Sequence, residues 1–277
     1  MNIKNIFEII VLIFGIFILS CFHGSIIHPV EVISIQQYKL IWIVFFAMSI
    51  LVIPVILMTL FFVYNYQDNK MNTYRPDWSH SVRIELIIWT VPIIIILFLG
   101  FIAWNTSHQL DPRRRIVTRN QPIVINVVAL NWRWLFIYPH EKIATINEIV
   151  IPDNTPVIFN ITSHSVMSAF FIPRLGSQVY AMPKMFKHLN LIAKFPGKYN
   201  GFSSNYNGAG FSNMKFRVIV VPKFYTFYKW KNHLKKFSHA LNNFQNIRSI
   251  LKLNTSRKIE YFYYYDTKLL NYVISCK

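Results

Sequence analysis

Cysteine is scarce in this chain. Only two of its 277 residues are cysteines, Cys21 and Cys276, and they stand near opposite ends of the sequence. Neither has a second cysteine at metal-ligand spacing, so a disulfide framework and a cysteine-based metal site are both excluded. Acidic residues are also few, since 11 Asp and Glu face 29 Lys and Arg, and the formal net charge is +18.

This positive charge would by itself suggest nucleic acid or anionic lipid as a partner. The basic residues are spread from Lys4 to Lys277, however, and the densest run, residues 113–115, contains only three. AT-rich coding favours Lys, Asn, Ile, Phe and Tyr, and it would produce an excess of basic residues without any selection for function. We therefore expect no nucleic-acid partner. With 53% hydrophobic, 17% aromatic and 14% charged residues, the composition is typical of a membrane protein.

Two long runs contain no charged residue. They cover residues 40–64 and 86–104, which are 25 and 19 residues long. A helix of about 20 residues crosses a hydrocarbon core about 30 Å thick, so both runs predict transmembrane helices that form a hairpin. The link at residues 65–85 is short and carries Lys70, Arg75 and Arg83, which predicts a cytoplasmic loop.

The first 20 residues predict a secretory signal. Their apolar stretch is too short for a full span, and Ser20 precedes Cys21 as in bacterial lipoprotein signals, where the cysteine is lipidated and becomes the mature N-terminus. Residues 21–39 would then be a periplasmic segment. A plain signal or a short anchor with an incidental cysteine is the alternative.

Beyond the second span the apolar pattern changes to a period of two. Short runs such as PVIFNITS, SAFFIP and MKFRVIVVP are separated by turn residues, which predicts an antiparallel β-sandwich at residues 105–222, on the periplasmic side. Residues 223–277 form a basic, aromatic-rich C-terminal region, in which Phe224 to Leu241 and Tyr261 to Ile274 are predicted as short helices.

Four motifs give the sequence a family resemblance: WTVP, NWRWLFIYP, FIPRLGSQVYAMP and the loop GFSSNYNGAGFSNM. Over nearly its whole length the chain resembles subunit 2 of the haem-copper respiratory oxidases. The resemblance implies two transmembrane helices and an all-β, cupredoxin-like Greek-key sandwich. In the cytochrome c oxidases of this family, the sandwich holds two copper ions in a loop of pattern G-x-C-x-E-x-C-G-x-x-H-x-x-M. A further histidine lies four residues before the proline of a V-P-x-L-G motif, which corresponds to Pro173 in IPRLG here.

Aligned on Gly201, Gly208 and Met214, the loop has lost its ligands. The positions of the copper-binding residues are occupied by Ser168, Ser203, Asn205, Asn207 and Phe211, and only Met214 is retained. Copper that transfers single electrons needs thiolates and imidazoles, which hydroxyl, amide and phenyl groups cannot replace. The resemblance therefore implies a sandwich without copper. Trp132 and Trp134, which follow the electron path of copper-binding relatives, are predicted to be core aromatics.

This loss looks like that of the cytochrome o type ubiquinol oxidases. The resemblance implies a bacterial inner-membrane complex that oxidises ubiquinol and reduces oxygen to water, in which this chain is a non-catalytic subunit and binds no cofactor. The haems and copper would lie in the partner subunit 1, alongside smaller membrane subunits. Cytochrome c is not expected as a partner, because residues 105–222 carry thirteen Lys and Arg against four acidic residues, and like charge opposes its docking.

Glu85 is the one residue for which the resemblance implies a part in chemistry. It begins the second span, where family members place an acidic residue at the mouth of a proton path. An interfacial glutamate that is solvated or paired with Arg83 is the alternative. Two other functions stay open: a cytochrome c oxidase subunit 2, and a stand-alone, membrane-anchored binding protein in the periplasm.

Overall fold

The structure is a computed structural model that describes residues 31–66, 81–114, 118, 120–237, 239–240, 250–251 and 258–264. Residues 36–111 form one compact unit, and the chain on either side of them forms a second. The predicted signal at residues 1–20, the lipidation candidate Cys21 and most of the predicted loop at residues 65–85 lie outside the described residues.

The first unit is built from two long helices, α1 (Val32–Asn65) and α2 (Val82–Gln109). Both are long and apolar enough to cross a membrane, and the predicted pair of apolar helices is confirmed. The helices extend beyond the charge-free runs because intrahelical hydrogen bonds satisfy the backbone at the polar ends as well. Most of their apolar side chains are exposed, for example Leu57 at 61% and Trp89 at 70%. Such helices need lipid or partner helices around them.

The second unit contains a sandwich of two sheets, which we call the β domain. Its strands in the described part of the chain are β1 (Ile123–Ala129), β2 (Trp134–Tyr138), β3 (Ile143–Ile146), β4 (Glu148–Pro152), β5 (Pro156–Ser163), β6 (Ser168–Phe171), β7 (Val179–Ala181), β8 (Lys187–Ile192), β9 (Gly197–Ser203), β10 (Lys215–Val221), β11 (His239–Ala240) and β12 (Glu260–Tyr263). One sheet has the order β11-β12-β3-β2-β1-β5-β8, and the other has the order β4-β10-β9-β6-β7.

The predicted sandwich is confirmed, but the prediction that its sheets are antiparallel was wrong at three pairs of the described strands. β1 runs parallel to β5, β4 runs parallel to β10, and β11 runs parallel to β12. In the first two pairs the chain passes through several other strands before it returns, so the partners can run in the same direction. Alternation of apolar residues identifies a strand without indicating the direction of its neighbour, which is why the sequence did not show these pairs.

Asn147 divides the strand-like run ATINEIVIP into β3 and β4. Its φ is 58°, in the left-handed region that asparagine tolerates better than most residues. Its Oδ1 accepts a hydrogen bond of 3.0 Å from the backbone N–H of Trp134. Since β3 belongs to one sheet and β4 to the other, this single residue carries the chain across the sandwich.

Aromatic side chains fill the space between the sheets. Trp134, Phe136, Phe170 and Phe216 are buried, and the rings of Phe170 and Phe216 stack with their centroids 5.1 Å apart. Burial of side chains of this size contributes about 2–3 kcal/mol each. The prediction for Trp134 as a core aromatic therefore agrees with its position.

The C-terminal residues add to the first sheet. α3 (Lys223–Phe237) buries Phe227 and Leu234 against the core, and β12 pairs antiparallel with β3. The prediction of a helix from Tyr261 was wrong for residues 261–263, which lie in β12. Consecutive aromatic residues favour strands over helices, and a free sheet edge supplied the partner.

Candidate functional site

The loop between β9 and β10 brings together most of the positions that were predicted to match copper ligands. Ser168 begins β6, Ser203 ends β9, and Met214 precedes β10 after a 3₁₀ turn at Phe211–Asn213. Because β6 and β9 are neighbours in one sheet, their ends meet at the same edge. Ser168, Ser203 and Met214 are buried there, and Asn207 reaches into the group from the loop.

Asn207 is the centre of this group. Its Nδ2 lies 2.8 Å from Ser168 Oγ and 2.9 Å from Met214 Sδ, and it can donate one hydrogen to each. Ser168 Oγ is also 4.0 Å from the Met214 sulfur. We call Ser168, Asn207 and Met214 the amide clasp. The clasp connects the loop to β6 and to the start of β10 by hydrogen bonds, at positions that the sequence alignment assigned to copper ligands.

Ser203 joins the same strands through its hydroxyl. Its Oγ accepts a hydrogen bond of 3.4 Å from Ala169 N–H and donates one of 3.2 Å to the backbone carbonyl of Asn205. Asn205 thus contributes its main chain, and Phe211 packs its ring against Tyr206 at a centroid distance of 5.7 Å. Asn205 and Phe211 therefore contact residues outside the amide clasp.

The Trp132 side chain packs against two glycines of the loop, Gly208 and Gly210. A Cβ on Gly210 would lie 2.3 Å from the Trp132 ring, and Gly208 has a φ of +118°, so both positions require glycine. Trp132 is half-buried and stands outside the main core cluster. The prediction that it is a core aromatic was wrong, because two glycines of the loop rest on its ring and hold it at the sandwich edge.

The donors at this site do not fit a copper pair. They are two hydroxyl groups, one amide and one thioether, whereas a copper centre for electron transfer needs thiolates and imidazoles. In the part of the chain that the structure describes, no three His, Cys, Asp or Glu side chains gather into a possible metal site. The arrangement can hold a loop in place, and its groups carry no redox chemistry.

Loss of the Asn207 amide should loosen this loop. We expect Asn207→Ala to lower the free energy of unfolding of the β domain by about 1–2 kcal/mol, since Ser168 Oγ would lose a buried hydrogen-bond partner. Asn205→Ala is the matched control, because Asn205 holds Ser203 through its backbone carbonyl, which the substitution keeps. The check is thermal unfolding of the detergent-solubilised protein. Equal effects of both variants would contradict a clasp role.

Glu85 lies in the first turn of α2, which begins after Ser81. Its backbone N–H donates to Ser81 O at 3.0 Å, and its side chain is exposed within the described unit. A negative charge in the first turn of a helix is favoured by the helix dipole. This explains why a glutamate is stable here, whether or not it carries protons.

Two polar clusters were missed by the sequence reasoning. In the first, Tyr261 donates a hydrogen bond to the buried carboxylate of Glu148, whose other oxygen lies 3.6 Å from Arg217 Nε. Burial and this hydrogen bond raise the pKa of Tyr261. The second lies around Glu31, which is buried just before α1 and is affected by the charge of Lys194. The members of each cluster are far apart in the sequence, so no local motif predicts them.

Comparison with known proteins agrees with this architecture. Residues 139–221 match the family described as cytochrome c oxidase subunit II, periplasmic domain. The cytochrome bo(3) ubiquinol oxidase subunit 2 of Buchnera aphidicola subsp. Baizongia pistaciae is 48% identical over 92% of this chain and 91% of its own. The protein of that name from Pseudomonas putida is 46% identical over 82% of this chain and 73% of its own.

Among solved structures, the periplasmic domain of subunit II of cytochrome oxidase from Bradyrhizobium japonicum aligns with a TM-score of 0.41. It is 23% identical and covers 44% of this chain and 98% of its own. The extent of the match to the full-length relatives decides the assignment. The chain belongs to the family of cytochrome bo(3) ubiquinol oxidase subunit 2 proteins.

Proposed function

We propose that this chain is the non-catalytic subunit 2 of a proton-pumping complex that oxidises ubiquinol and reduces dioxygen to water. The haems, the copper and the quinol site would all lie in the partner subunit 1. The observation that carries this proposal is the amide clasp, which fills the positions of a copper centre with a hydroxyl, an amide and a thioether. Electrons would therefore reach subunit 1 from a donor within the membrane.

Charge supports the absence of cytochrome c as a partner. The segment from residue 105 to residue 222 carries thirteen Lys and Arg against four acidic residues, and a face that docks a basic protein should be acidic. The names of the relatives agree, since those at 46–48% identity are called ubiquinol oxidase subunits.

The exposed apolar surfaces of α1 and α2 would be covered by subunit 1, by smaller membrane subunits and by lipid. The chain would sit in the bacterial inner membrane with spans at residues 40–64 and 86–104, a cytoplasmic loop at 65–85 and the β domain in the periplasm. Cleavage of the signal at residues 1–20 would leave Cys21 as a lipidated N-terminus. The mass of the mature subunit tests this, because a diacylated or triacylated cysteine adds a mass that Cys21→Ala abolishes.

The proposal is tested on the complex purified through a tag on this chain. Haem and copper content are measured together with oxygen uptake on ubiquinol and on reduced cytochrome c. We expect haem, a single copper and uptake with ubiquinol alone. Additional copper with cytochrome c activity would point to a cytochrome c oxidase, and a chain that purifies without haem would be a stand-alone binding protein.

Glu85 would stand at the mouth of a proton path on the cytoplasmic side. An ionisable residue at a membrane boundary is a reasonable site of proton uptake. We expect Glu85→Gln to lower oxygen uptake with ubiquinol by about tenfold, because a glutamine cannot carry a proton. Glu85→Asp is the control, as it keeps a carboxyl at this place. If both variants retain the original rate, Glu85 is a surface residue of the helix end.

A further inference from the structure

Glu31 lies directly before α1, where the chain leaves the β domain for its first span. Its side chain is 0% exposed, and neither carboxyl oxygen has a hydrogen-bond partner among the described residues. An ionised carboxylate in such a place has lost its hydration without compensation, so the neutral, protonated form is favoured.

The surrounding hydrogen bonds hold the backbone of Glu31 and leave its carboxyl group out. Its N–H donates to Ser34 Oγ at 3.0 Å, and that oxygen lies 3.0 Å from Glu31 O and 3.1 Å from Arg174 O, to either of which it can donate. Ile33 packs nearby over Gly176, where a Cβ would lie 3.5 Å from Ile33 Cγ2. The beginning of α1 is thus fixed to the segment after β6 independently of the carboxyl group.

Lys194 acts on the carboxyl group by its charge, and Glu31 acts on Tyr199, which also lies beside Arg174. Lys194 follows β8, Arg174 follows β6, and Tyr199 lies in β9. Burial raises the pKa of Glu31 to about 9, and the charge of Lys194 acts in the opposite direction. The Arg174 guanidinium lies 5.4 Å from the centroid of the Tyr199 ring. Burial raises the pKa of Tyr199, and a charge on Glu31 would raise it further.

We propose that Glu31 is a proton-binding site. It holds its proton while the carboxyl group is unpaired, and it releases the proton to solvent beside the β domain when Lys194 or Arg174 moves its charge against the carboxylate. The bond that breaks is the carboxyl O–H, and the proton passes to water. Lys194 is exposed and ends in a flexible side chain, so this approach requires no change in the sheets.

In the assembled oxidase, proton release from Glu31 would also bear on proton pumping. A proton-releasing group beside the β domain would stand on the side to which a pumping oxidase delivers protons, and this consequence rests on the proposed function. Proton binding by Glu31 does not depend on it, because the burial and the neighbouring charges belong to this chain alone.

The test uses the purified complex and two variants. Infrared difference spectra between neutral pH and a pH of about 10 report the C=O band of protonated carboxyl groups. We expect one such band to titrate near pH 9 in the wild type and to be absent in Glu31→Gln. Glu260→Gln, at a half-buried glutamate of the same domain, should keep the band. Lys194→Gln should move its midpoint upward by about one pH unit, since an opposing charge is removed.

A band that persists in Glu31→Gln, or that fails to shift in Lys194→Gln, would overturn the proposal. Thermal unfolding supplies an independent readout. The folded wild type keeps a proton that the unfolded chain releases, so its stability should fall as pH rises toward about 9, and this fall should be reduced in Glu31→Gln. Oxygen uptake with ubiquinol, measured in the same samples, reports separately on the proposed function.

Discussion

Replacing Gly201 by alanine is expected to destabilise the β domain by about 3 kcal/mol. The new methyl group would lie 2.1, 2.3 and 2.7 Å from Cζ, Cε2 and Cε1 of Phe216, far inside van der Waals contact. Phe216 cannot turn aside easily, because its ring stacks on Phe170 and also contacts Trp134 in the buried core. The added atom would therefore force β9 and β10 apart, next to the amide clasp.

Gly197→Ala is the matched control for this change. Gly197 lies in the same strand, but a Cβ there would meet only Tyr199, with its nearest atom at 3.6 Å, an ordinary contact. The check is thermal unfolding of the solubilised complex together with its yield. The double variant Gly201→Ala, Phe216→Leu should recover part of the loss, since leucine is smaller. Equal melting temperatures for the two single alanine variants would show that the sheets accommodate the methyl group.

Much of the architecture follows from simple patterns in the sequence. The two long helices appear as charge-free runs, since an apolar helix satisfies its own backbone hydrogen bonds within lipid. Most strands of the sandwich appear as alternating runs bounded by turn residues. The emptied copper loop stays a prediction, based on glycines at 201 and 208 and methionine at 214, which match the copper-loop pattern while the residues at the ligand positions do not.

The arrangement of these elements depends on contacts that no local pattern contains. Side-chain alternation does not distinguish a parallel neighbour from an antiparallel one, so the pairing of β1 with β5 was missed. The amide clasp connects Ser168 to Asn207, 39 residues further along the chain. No pattern in the sequence marks Glu31, and its burial is seen only in the folded chain, where it lies near Arg174 and Lys194.

The C-terminal region shows the same limit most clearly. Its composition predicted helices, yet residues 260–263 form β12 on the edge of the first sheet. Near them, Tyr264 and Ile250 are buried in a second apolar cluster with Leu135, Ile137 and neighbouring residues. The described part of this region supplies a strand and part of a core, which gives it a testable structural role.

Truncation after Leu253 should therefore destabilise the β domain by about 4 kcal/mol. It removes β12, whose four residues pair with β3, and it removes the buried Tyr264, which donates a hydrogen bond of 3.2 Å to Tyr138 O. Glu148 would keep its place inside the domain without the Tyr261 hydroxyl group, and a buried carboxylate that loses a hydrogen bond is costly.

Truncation after Tyr265 is the control, because it removes a basic C-terminal segment but leaves β12 and Tyr264 in place. We expect this variant to unfold close to the wild-type temperature, while the shorter chain unfolds earlier and is cut more rapidly by protease between β2 and β3. Tyr261→Phe isolates one part of the effect and should cost about 1–2 kcal/mol, since the ring stays and only the bond to Glu148 is lost. If both truncated chains unfold together with the wild type, β12 adds no stability, and the sheet formed by β1, β2, β3, β5 and β8 is sufficient by itself.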